Sequence, residues 1–163
     1  MRLSRNTLEH IPEDVSRPVV GEGELRHGIV HFGVGGFHRA HQALAVERLQ
    51  SERGLRDWGI IGVGIKHSDR RMRDVLVEQD FLYSLTEKDA SGWSTRIIGS
   101  IIDFKYAPDD PPEVIELLAN PDTRIVSLTI TEGGYNFNQV TGEFDWTNQE
   151  MVQDVDNVTA PET

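Results

Sequence analysis

A cluster of glycines near residue 33 has the composition of a phosphate-binding turn. An apolar run, Ile29–Phe32, leads into Gly33, Gly35 and Gly36, and helix-forming residues follow at once. Gly33 would let the chain turn at a strand end, and Gly35 removes a Cβ where a backbone must approach a diphosphate. The first amides of the next helix are unpaired and lie at the positive end of its dipole, so they can bind an anion. The predicted cofactor-binding residues here are Gly33, Val34, Gly35, Gly36, Phe37, His38 and Arg39.

The glycine pattern departs from Gly-x-Gly-x-x-Gly at its third position, which is His38. Gly36 and Ala40 are small residues that could instead permit close packing of helix on sheet. A glycine-rich turn that binds no nucleotide is the alternative interpretation. His38 and His41 are three residues apart and could share a helix face, which would make half a metal site. The chain has no cysteine and no carboxylate at a supporting spacing nearby, so we predict no metal.

A second candidate follows another apolar run, Trp58–Ile65. The end of the second strand of a dinucleotide fold is where an acidic side chain accepts hydrogen bonds from the ribose hydroxyls of NAD. Asp69 is the predicted residue for this contact, and a cap on the next helix is its alternative role. Several basic residues lie close by, so we expect NAD to be preferred with some tolerance of NADP. These basic residues are Lys66, Arg70, Arg71 and Arg73.

A third candidate is the loop Thr131–Asn136, which follows the predicted buried strand Arg124–Ile130. Ligands of doubly wound sheets bind beyond the carboxyl ends of the strands, so we expect this loop to face the glycine turn. Thr131 and the amide of Gly133 could contact the cofactor, and Glu132 could orient water or the nicotinamide ribose. The alternative is a simple glycine turn with Glu132 exposed.

The glycine cluster and several later stretches together resemble the mannitol dehydrogenase family, the long-chain polyol-specific dehydrogenases and reductases. The most specific stretch is Gly-Val-Gly-Gly-Phe-His-Arg-Ala-His-Gln, and the others follow in the same order as in the family. The matching stretches are residues 33–42, 58–64 with Asp69, 79–83, 96–101 and 125–136. The resemblance runs from about residue 27 onward. The family typically has two acidic residues near Asp69, and this chain has Ser68 at the first of them.

The resemblance implies an α/β, Rossmann-like fold: a mostly parallel sheet with flanking helices, here the first part of a doubly wound NAD-binding domain. Residues 1–27 would form an N-terminal arm and residues 28–163 the partial Rossmann domain. The implied activity is NAD-dependent oxidation of mannitol to fructose, with a polyol or ketose as substrate of the full-length enzyme. A hexuronate reductase of the same family, acting on fructuronate or tagaturonate, is an alternative. A non-catalytic nucleotide-binding module is another.

The family's catalytic residues are a lysine base with asparagine and histidine partners on later segments, chiefly in a helical C-terminal domain. This chain has only Lys66, Lys88 and Lys105, and none lies in a segment that resembles the family's lysine helix. We therefore expect no catalytic residue here, and we expect the chain to be part of a longer dehydrogenase. A half-sheet this apolar would expose one edge and a hydrophobic face, so we expect the isolated chain to be marginally stable or to self-associate.

The remaining elements follow from periodicity and caps. A short turn capped by Asn6, a single helix from Phe37 to Arg53 ended by Gly54, and a helix over Ser68–Glu78 are predicted. Two extended segments should pair through a turn at residues 88–92. These segments are Phe81–Thr86 and Thr95–Phe104. The acidic cluster at residues 109–113 has the proline and cap of a helix start rather than of a paired-carboxylate site, and a short helix is expected within residues 145–157.

Bulk properties limit the partners. At 163 residues the chain is one domain's worth of sequence, and its net charge of −11 argues against nucleic acid or an anionic membrane as a general partner. The absence of cysteine excludes disulfides and thiolate sites. No apolar run approaches a membrane span and the polar N-terminus is not a signal peptide, so a cytoplasmic protein is expected.

Overall fold

The structure is a computed structural model, and it describes residues 2–19, 21, 23–90, 92–130 and 132–160. The chain divides into two compact units, Met1–Thr129 and Ile130–Thr163, and each is described by itself. The first unit contains the sheet, the glycine turn and most of the core. Its strands are β1 (His27–Phe32), β2 (Gly59–Gly64), β3 (Tyr83–Asp89), β4 (Gly92–Ile98), β5 (Ile101–Tyr106) and β6 (Ile125–Leu128). Its α-helices are α1 (Gly36–Ala40), α2 (Gln42–Arg53), α3 (Asp69–Glu78) and α4 (Pro111–Ala119).

Four strands form one parallel sheet in the order β5-β2-β1-β6. β1 and β2 lie in the middle of the sheet with helices over both faces, and they are mostly apolar for that reason; His31 is the buried polar residue of β1. On one face Ile29 and Ile60 pack with residues of α2 and α3. On the other, Val30 and Val63 pack against Val114 of α4. The predicted α/β fold with a mostly parallel sheet and flanking helices is confirmed.

The chain crosses from one side of β1 to the other after β5, since β2 and β5 lie on one side of β1 and β6 lies on the other. The point where the order reverses is therefore between β1 and β6. In doubly wound sheets this is where a crevice opens beyond the carboxyl ends of the strands. The glycine turn begins at the carboxyl end of β1, so the sheet brings it to this crevice.

The two extended segments predicted around residue 90 are confirmed as a hairpin, β3 paired antiparallel with β4. The predicted second segment is wrong in its length, because Thr95–Phe104 contains two strands. β4 ends at Ile98 and β5 begins at Ile101 in the parallel sheet. Two contacts with α2 fix this change of sheet: the Glu47 carboxylate accepts from the Gly99 amide at 2.7 Å, and Ser100 Oγ donates to the Ala43 carbonyl at 2.7 Å.

The predicted single helix over Phe37–Arg53 is also wrong, because it is interrupted at His41, whose ψ of −74° with φ of −120° is not helical. α2 ends as predicted at Gly54, which is left-handed with φ +66°. The N-terminal turn is a 3-10 helix, Arg5–His10, and its cap is Ser4 rather than Asn6, since the Ser4 amide donates to Thr7 Oγ1.

Among the described residues β6 pairs with β1 alone and forms one edge of the sheet. The prediction of a buried strand here is wrong: Val126 is 51% exposed and Leu128 is 58% exposed. An edge strand has no neighbour on one side to cover it, so apolar side chains suited to an interior stay accessible. The exposed apolar edge expected from the sequence is therefore present.

The second unit contains a 3-10 helix, Glu132–Tyr135, and α5 (Gln149–Asp156). Asn148 caps α5, with its side-chain oxygen accepting from the Glu150 amide at 3.0 Å. This helix lies within the range expected from the sequence. Across the part of the chain that the structure describes, no helix combines the length and the apolar character needed to cross a membrane.

Candidate functional site

The turn after β1 is shaped by Gly33, whose φ of +85° is a conformation that L side chains rarely adopt. Its amide donates to the Val63 carbonyl at 2.9 Å, which ties the turn to the end of β2. The next residue, Val34, buries its side chain in the main core, so it can contact a ligand only through its backbone. This packing needs a close approach: a Cβ built on Gly62 would lie 2.5 Å from Val34 Cγ2.

Gly35 and Gly36 face open space, because a Cβ built on either one meets no heavy atom within 4 Å. Gly35 is the N-cap of α1, and the first helical amide with an acceptor is that of Arg39, which donates to the Gly35 carbonyl at 3.1 Å. The amides of Gly36, Phe37 and His38 thus occupy the helix positions that have no intrahelical acceptor. A backbone surface free of side chains and lined by amides fits a diphosphate.

The side chains of the next three residues have different surroundings. Phe37 is 67% exposed and stacks on the His41 ring at 4.4 Å between centroids. Arg39 donates from Nε to the Gly35 carbonyl at 3.3 Å, and its own carbonyl accepts from the Tyr83 hydroxyl at 2.7 Å. These contacts connect the glycine turn to the hairpin. His38 and His41 do not share a face, since the first is buried and the second exposed.

A polar network lies beneath the turn and was not predicted. The His38 ring stacks on His31 of β1 at 3.7 Å between centroids and 13° between planes. His38 Nδ1 lies 2.9 Å from Gln42 Oε1, and Gln42 Nε2 donates to Ser127 Oγ at 3.1 Å. His31 Nδ1 lies 2.9 Å from the same hydroxyl, and His31 Nε2 lies 3.1 Å from Thr129 Oγ1. The network therefore joins β1, the start of the helices and β6 at the point where the strand order reverses.

Both histidines of this network are held neutral. Burial lowers the pKa of His31, and a hydrogen bond with the Gly33 backbone opposes this in part. Burial, and then the neighbouring His31, lower the pKa of His38 to about 4. His38 Nε2 is buried and has no hydrogen-bond partner among the described residues. The one sequence signal for this network was a polar residue, His31, inside an otherwise apolar strand.

Asp69 is the first residue of α3, and the N-cap position belongs to Ser68. The Asp69 carboxylate accepts two backbone amides through the same oxygen, Oδ2: those of Ile65 and Lys66, both at 3.0 Å. It therefore closes the turn after β2 and is not a helix cap in the predicted sense. A Cβ built on Gly64 would lie 2.6 Å from Asp69 Cβ, so this side chain sits directly against the end of the strand.

The third candidate loop lies in the second unit. Thr131 falls outside the described residues, and Glu132 and Gly133 belong to the 3-10 helix Glu132–Tyr135. Their predicted contacts with a cofactor stay a prediction. Among the described residues, no group of three or more histidine, aspartate or glutamate side chains is arranged as a metal site requires.

Gly33, Gly35 and Gly36 line none of the three best-formed cavities among the described residues. One of about 280 Å³ is lined by residues of α2 and the hairpin, including Arg48, Glu87 and Trp93. The glycine turn itself is an open surface. Such a surface suits an extended ligand that binds across the carboxyl ends of the strands better than a ligand enclosed in a cavity. We therefore assign the candidate site from the topology and the backbone, not from cavity size.

A parallel sheet whose strands occur in the order third-second-first-fourth, with a glycine turn after the first strand, defines the first half of a Rossmann-type dinucleotide-binding fold. Residues 27–161 match the mannitol dehydrogenase Rossmann domain. The chain belongs to the mannitol dehydrogenase family.

Known proteins similar to this chain include both mannitol and broader polyol enzymes. It is 46% identical over 148 residues to mannitol 2-dehydrogenase of Pyricularia oryzae, covering 90% of this chain and 30% of that protein. It is 45% identical to the polyol:NADP oxidoreductase of Gluconobacter oxydans, over 99% of this chain and 33% of that protein. The ternary complex of Pseudomonas fluorescens mannitol 2-dehydrogenase with NAD and D-mannitol superposes with a TM-score of 0.84 at 42% identity, covering 100% of this chain and 33% of that one. The chain thus spans about a third of the length of the relatives it matches.

Proposed function

We propose that this chain is the NAD-binding part of an oxidoreductase that interconverts D-mannitol and D-fructose by hydride transfer. The observation that carries the proposal is the open backbone at Gly35 and Gly36, which leads into the first amides of α1 at the point where the strand order of a Rossmann sheet reverses. The similarity to a mannitol 2-dehydrogenase determined with NAD and mannitol supports it. The names of the relatives described above favour a polyol over a hexuronate as substrate.

In the proposed site the backbone at Gly35 allows the diphosphate to approach, the amides of Gly36, Phe37 and His38 donate to it, and the Asp69 carboxylate accepts from a ribose hydroxyl. Asp69 is already fixed by the two amides of the preceding turn, so its position costs no further ordering when the ribose binds. From the sequence alone, Thr131, Glu132 and Gly133 are further proposed cofactor contacts. NAD, when bound, supplies the hydride acceptor.

Oxidation of an alcohol also needs a group that takes the hydroxyl proton. Two of the three lysines are engaged elsewhere: Lys105 lies 2.9 Å from Asp103 and 2.8 Å from Glu113, and Lys88 lies 4.6 Å from the centre of the Trp93 ring. The third, Lys66, follows β2 on the turn that Asp69 closes. We propose that this chain binds the cofactor. We also propose that the base lies in a segment that corresponds to the part of the relatives that this chain does not cover.

The test has two steps. NADH is titrated into the chain, with nicotinamide fluorescence as the signal, and mannitol oxidation is then assayed with NAD. Binding without turnover is the expected result. Turnover would contradict the proposal that the base lies elsewhere, and no binding would contradict the proposed cofactor site. Sedimentation across a range of concentrations tests the further proposal that isolated chains associate, which the exposed apolar residues of β6 support.

A further inference from the structure

The end of β2, where Asp69 lies, is adjacent to the end of β5. Gly64 pairs with Tyr106 in the parallel register, and the Ala107 amide donates to the Gly64 carbonyl at 2.9 Å. The turn that follows β5 therefore lies beside the first turns of α3. This turn carries Asp109, whose amide donates to the Tyr106 carbonyl at 3.0 Å.

Asp109 binds two arginines of α3 at once. Arg70 Nη2 lies 3.0 Å from Oδ1 and 3.2 Å from Oδ2, and Arg73 Nη1 lies 2.9 Å from Oδ2. Both guanidinium groups also lie over the Tyr106 ring, at 5.5 Å and 5.6 Å from its centre. Arg73 makes a second ion pair with Asp74. The carboxylate and the ring thus hold two cations in one place on α3, the helix whose first residue is Asp69; we refer to Asp109, Arg70 and Arg73 as the arginine clamp.

The arginine clamp bears on cofactor choice, because an unpaired arginine at the end of the second strand of a dinucleotide fold can bind a phosphate. An acid at the end of the second strand favours the ribose hydroxyl of NAD, whereas a nearby arginine accommodates the 2′-phosphate of NADP. The guanidinium group is a strong phosphate ligand because its donors match two oxygens. Both residue types are present here, since Arg70 directly follows Asp69, and the Arg70 guanidinium is paired with Asp109.

We propose that Asp109 determines cofactor specificity, by neutralising Arg70 and Arg73 so that they do not bind a 2′-phosphate. This inference rests on the proposed function, since it names the discriminating residue of the same site. Asp69 discriminates by its own contact with the ribose. Asp109 acts through the arginines and is a positioning residue, which a sequence pattern around the second strand alone would not identify, because it lies on the turn after β5.

The test compares two ligands that differ only in the 2′-phosphate, adenosine 5′-monophosphate and adenosine 2′,5′-bisphosphate, by calorimetric titration. The variant is Asp109→Asn, which removes the charge and keeps the size. The matched control is Asp110→Asn, which makes the same change of net charge one residue away and keeps an effective N-cap on α4. Lys66 and Arg71 are the same in every variant, so their contribution cancels in the comparison.

We expect Asp109→Asn to increase the preference for the 2′-phosphorylated ligand by about threefold to tenfold, the scale of one or two exposed ion pairs. Asp110→Asn should leave the preference unchanged, and Asp109→Glu should keep the preference of the unmodified chain. Adding Arg70→Ala to Asp109→Asn should reduce the gain, and adding Arg73→Ala as well should remove it. Raising the salt concentration should reduce the gain, since these charges are exposed. An altered fold alone would weaken both ligands together and would not change their ratio.

An unchanged ratio in Asp109→Asn, or an equal change in Asp110→Asn, would overturn the inference. The same samples are titrated with NADH, which also requires the glycine turn. If NADH fails to bind the unmodified chain, the proposed function fails, and with it the assignment of Asp109 to cofactor specificity, even if Asp109→Asn gains affinity for the bisphosphate. If NADH binds and the ratio does not change, the inference fails and the proposed function stands.

Discussion

Acidification should destabilise the folded chain through His38. This side chain is 1% exposed, its Nδ1 lies 2.9 Å from Gln42 Oε1, and its ring is stacked on His31. A proton added to His38 would place a charge in the core beside a second imidazole, with no partner for Nε2 among the described residues. Burial and the neighbouring His31 accordingly lower the pKa of His38 from 6.5 to about 4.

The direction and size of the effect follow from linkage. The folded-state pKa of His38 lies below the unfolded value, so its contribution to stability is complete above about pH 6.5 and is lost as the pH falls toward 4. The gap between the two values corresponds to roughly 3 kcal/mol over the whole range, of which about 2 kcal/mol is lost by pH 5. Burial lowers the pKa of His31 as well, which adds a loss in the same direction.

Glu47 changes the stability in the opposite direction on acidification, so its contribution has to be separated from that of His38. Burial raises the pKa of its carboxyl group. A raised folded-state pKa gives stability that is present below the unfolded value and is lost as the pH rises through the folded one. Glu47 therefore favours the folded chain in acid, and the pH profile of the unmodified chain contains both effects. A comparison with a variant that lacks only the His38 proton site isolates the histidine.

The assay is urea unfolding at pH 7.5 and pH 5.0 for the unmodified chain, His38→Phe and the control His41→Phe. Phenylalanine at position 38 keeps an aromatic ring against His31 but loses the hydrogen bond to Gln42. Because phenylalanine does not titrate, the loss of this hydrogen bond changes the free energy of unfolding by the same amount at both pH values. The unmodified chain and His41→Phe should lose about 2 kcal/mol more than His38→Phe on acidification. Equal losses in all three would refute the assignment of the acid sensitivity to His38.

Three further results are expected. Gly35→Val should weaken NADH binding by about 100-fold, because it blocks two or more charge-assisted hydrogen bonds to the diphosphate. The control Gly54→Asn should bind NADH normally, since Gly54 is left-handed and asparagine tolerates that conformation. Equal affinities of the two variants in calorimetry would place the cofactor elsewhere. Asp69→Ala should narrow the preference for NADH over NADPH. It should also lower the free energy of unfolding by about 1–3 kcal/mol, because two backbone amides lose their acceptor. An unaltered cofactor preference would show that the carboxylate has a structural role alone. Gly62→Ala should cost about 1–3 kcal/mol in urea unfolding, because its Cβ would lie 2.5 Å from Val34 Cγ2, and full stability would contradict that packing.

The elements that the sequence predicts well are those whose signals are local. β1 and β2 are apolar runs bounded by glycines, and the start of α4 combines a cap, Asp110, with Pro111 in the first turn. The acidic cluster there is confirmed as a helix start, since Asp110 Oδ1 accepts from the Glu113 amide at 3.1 Å. Such signals require only residues that are neighbours in the chain.

The features that were missed depend on contacts between distant residues. The apolar pattern of α1 and α2 continues through His41, so nothing local marks the break there. The end of β4 is fixed by Glu47 and Ala43 of α2, which are more than 50 residues away in sequence. β6 was expected to be buried because an apolar strand usually is, and its position at the sheet edge is a property of the strand order.

The candidate site divides in the same way. The turn Gly33–Gly36 could be located from residue types alone, because its function is a property of the backbone. For His38 the sequence indicated packing at the helix start and a hydrogen bond on the phosphate side; its buried ring does pack there, its partner His31 could not be predicted, and the phosphate contact stays a prediction. The arginine clamp was not predicted either, because its residues Arg70 and Asp109 are 39 positions apart in the sequence.

The central claim is that backbone amides of the glycine turn bind the diphosphate of NAD. The most direct measurement is the change in backbone amide chemical shifts of the isotope-labelled chain as NADH is added. The account predicts that the largest saturable changes fall on Gly36, Phe37 and His38, with smaller ones at Asp69. Saturable changes confined to other regions, such as the cavity lined by Arg48, Glu87 and Trp93, would contradict it, as would the absence of any change.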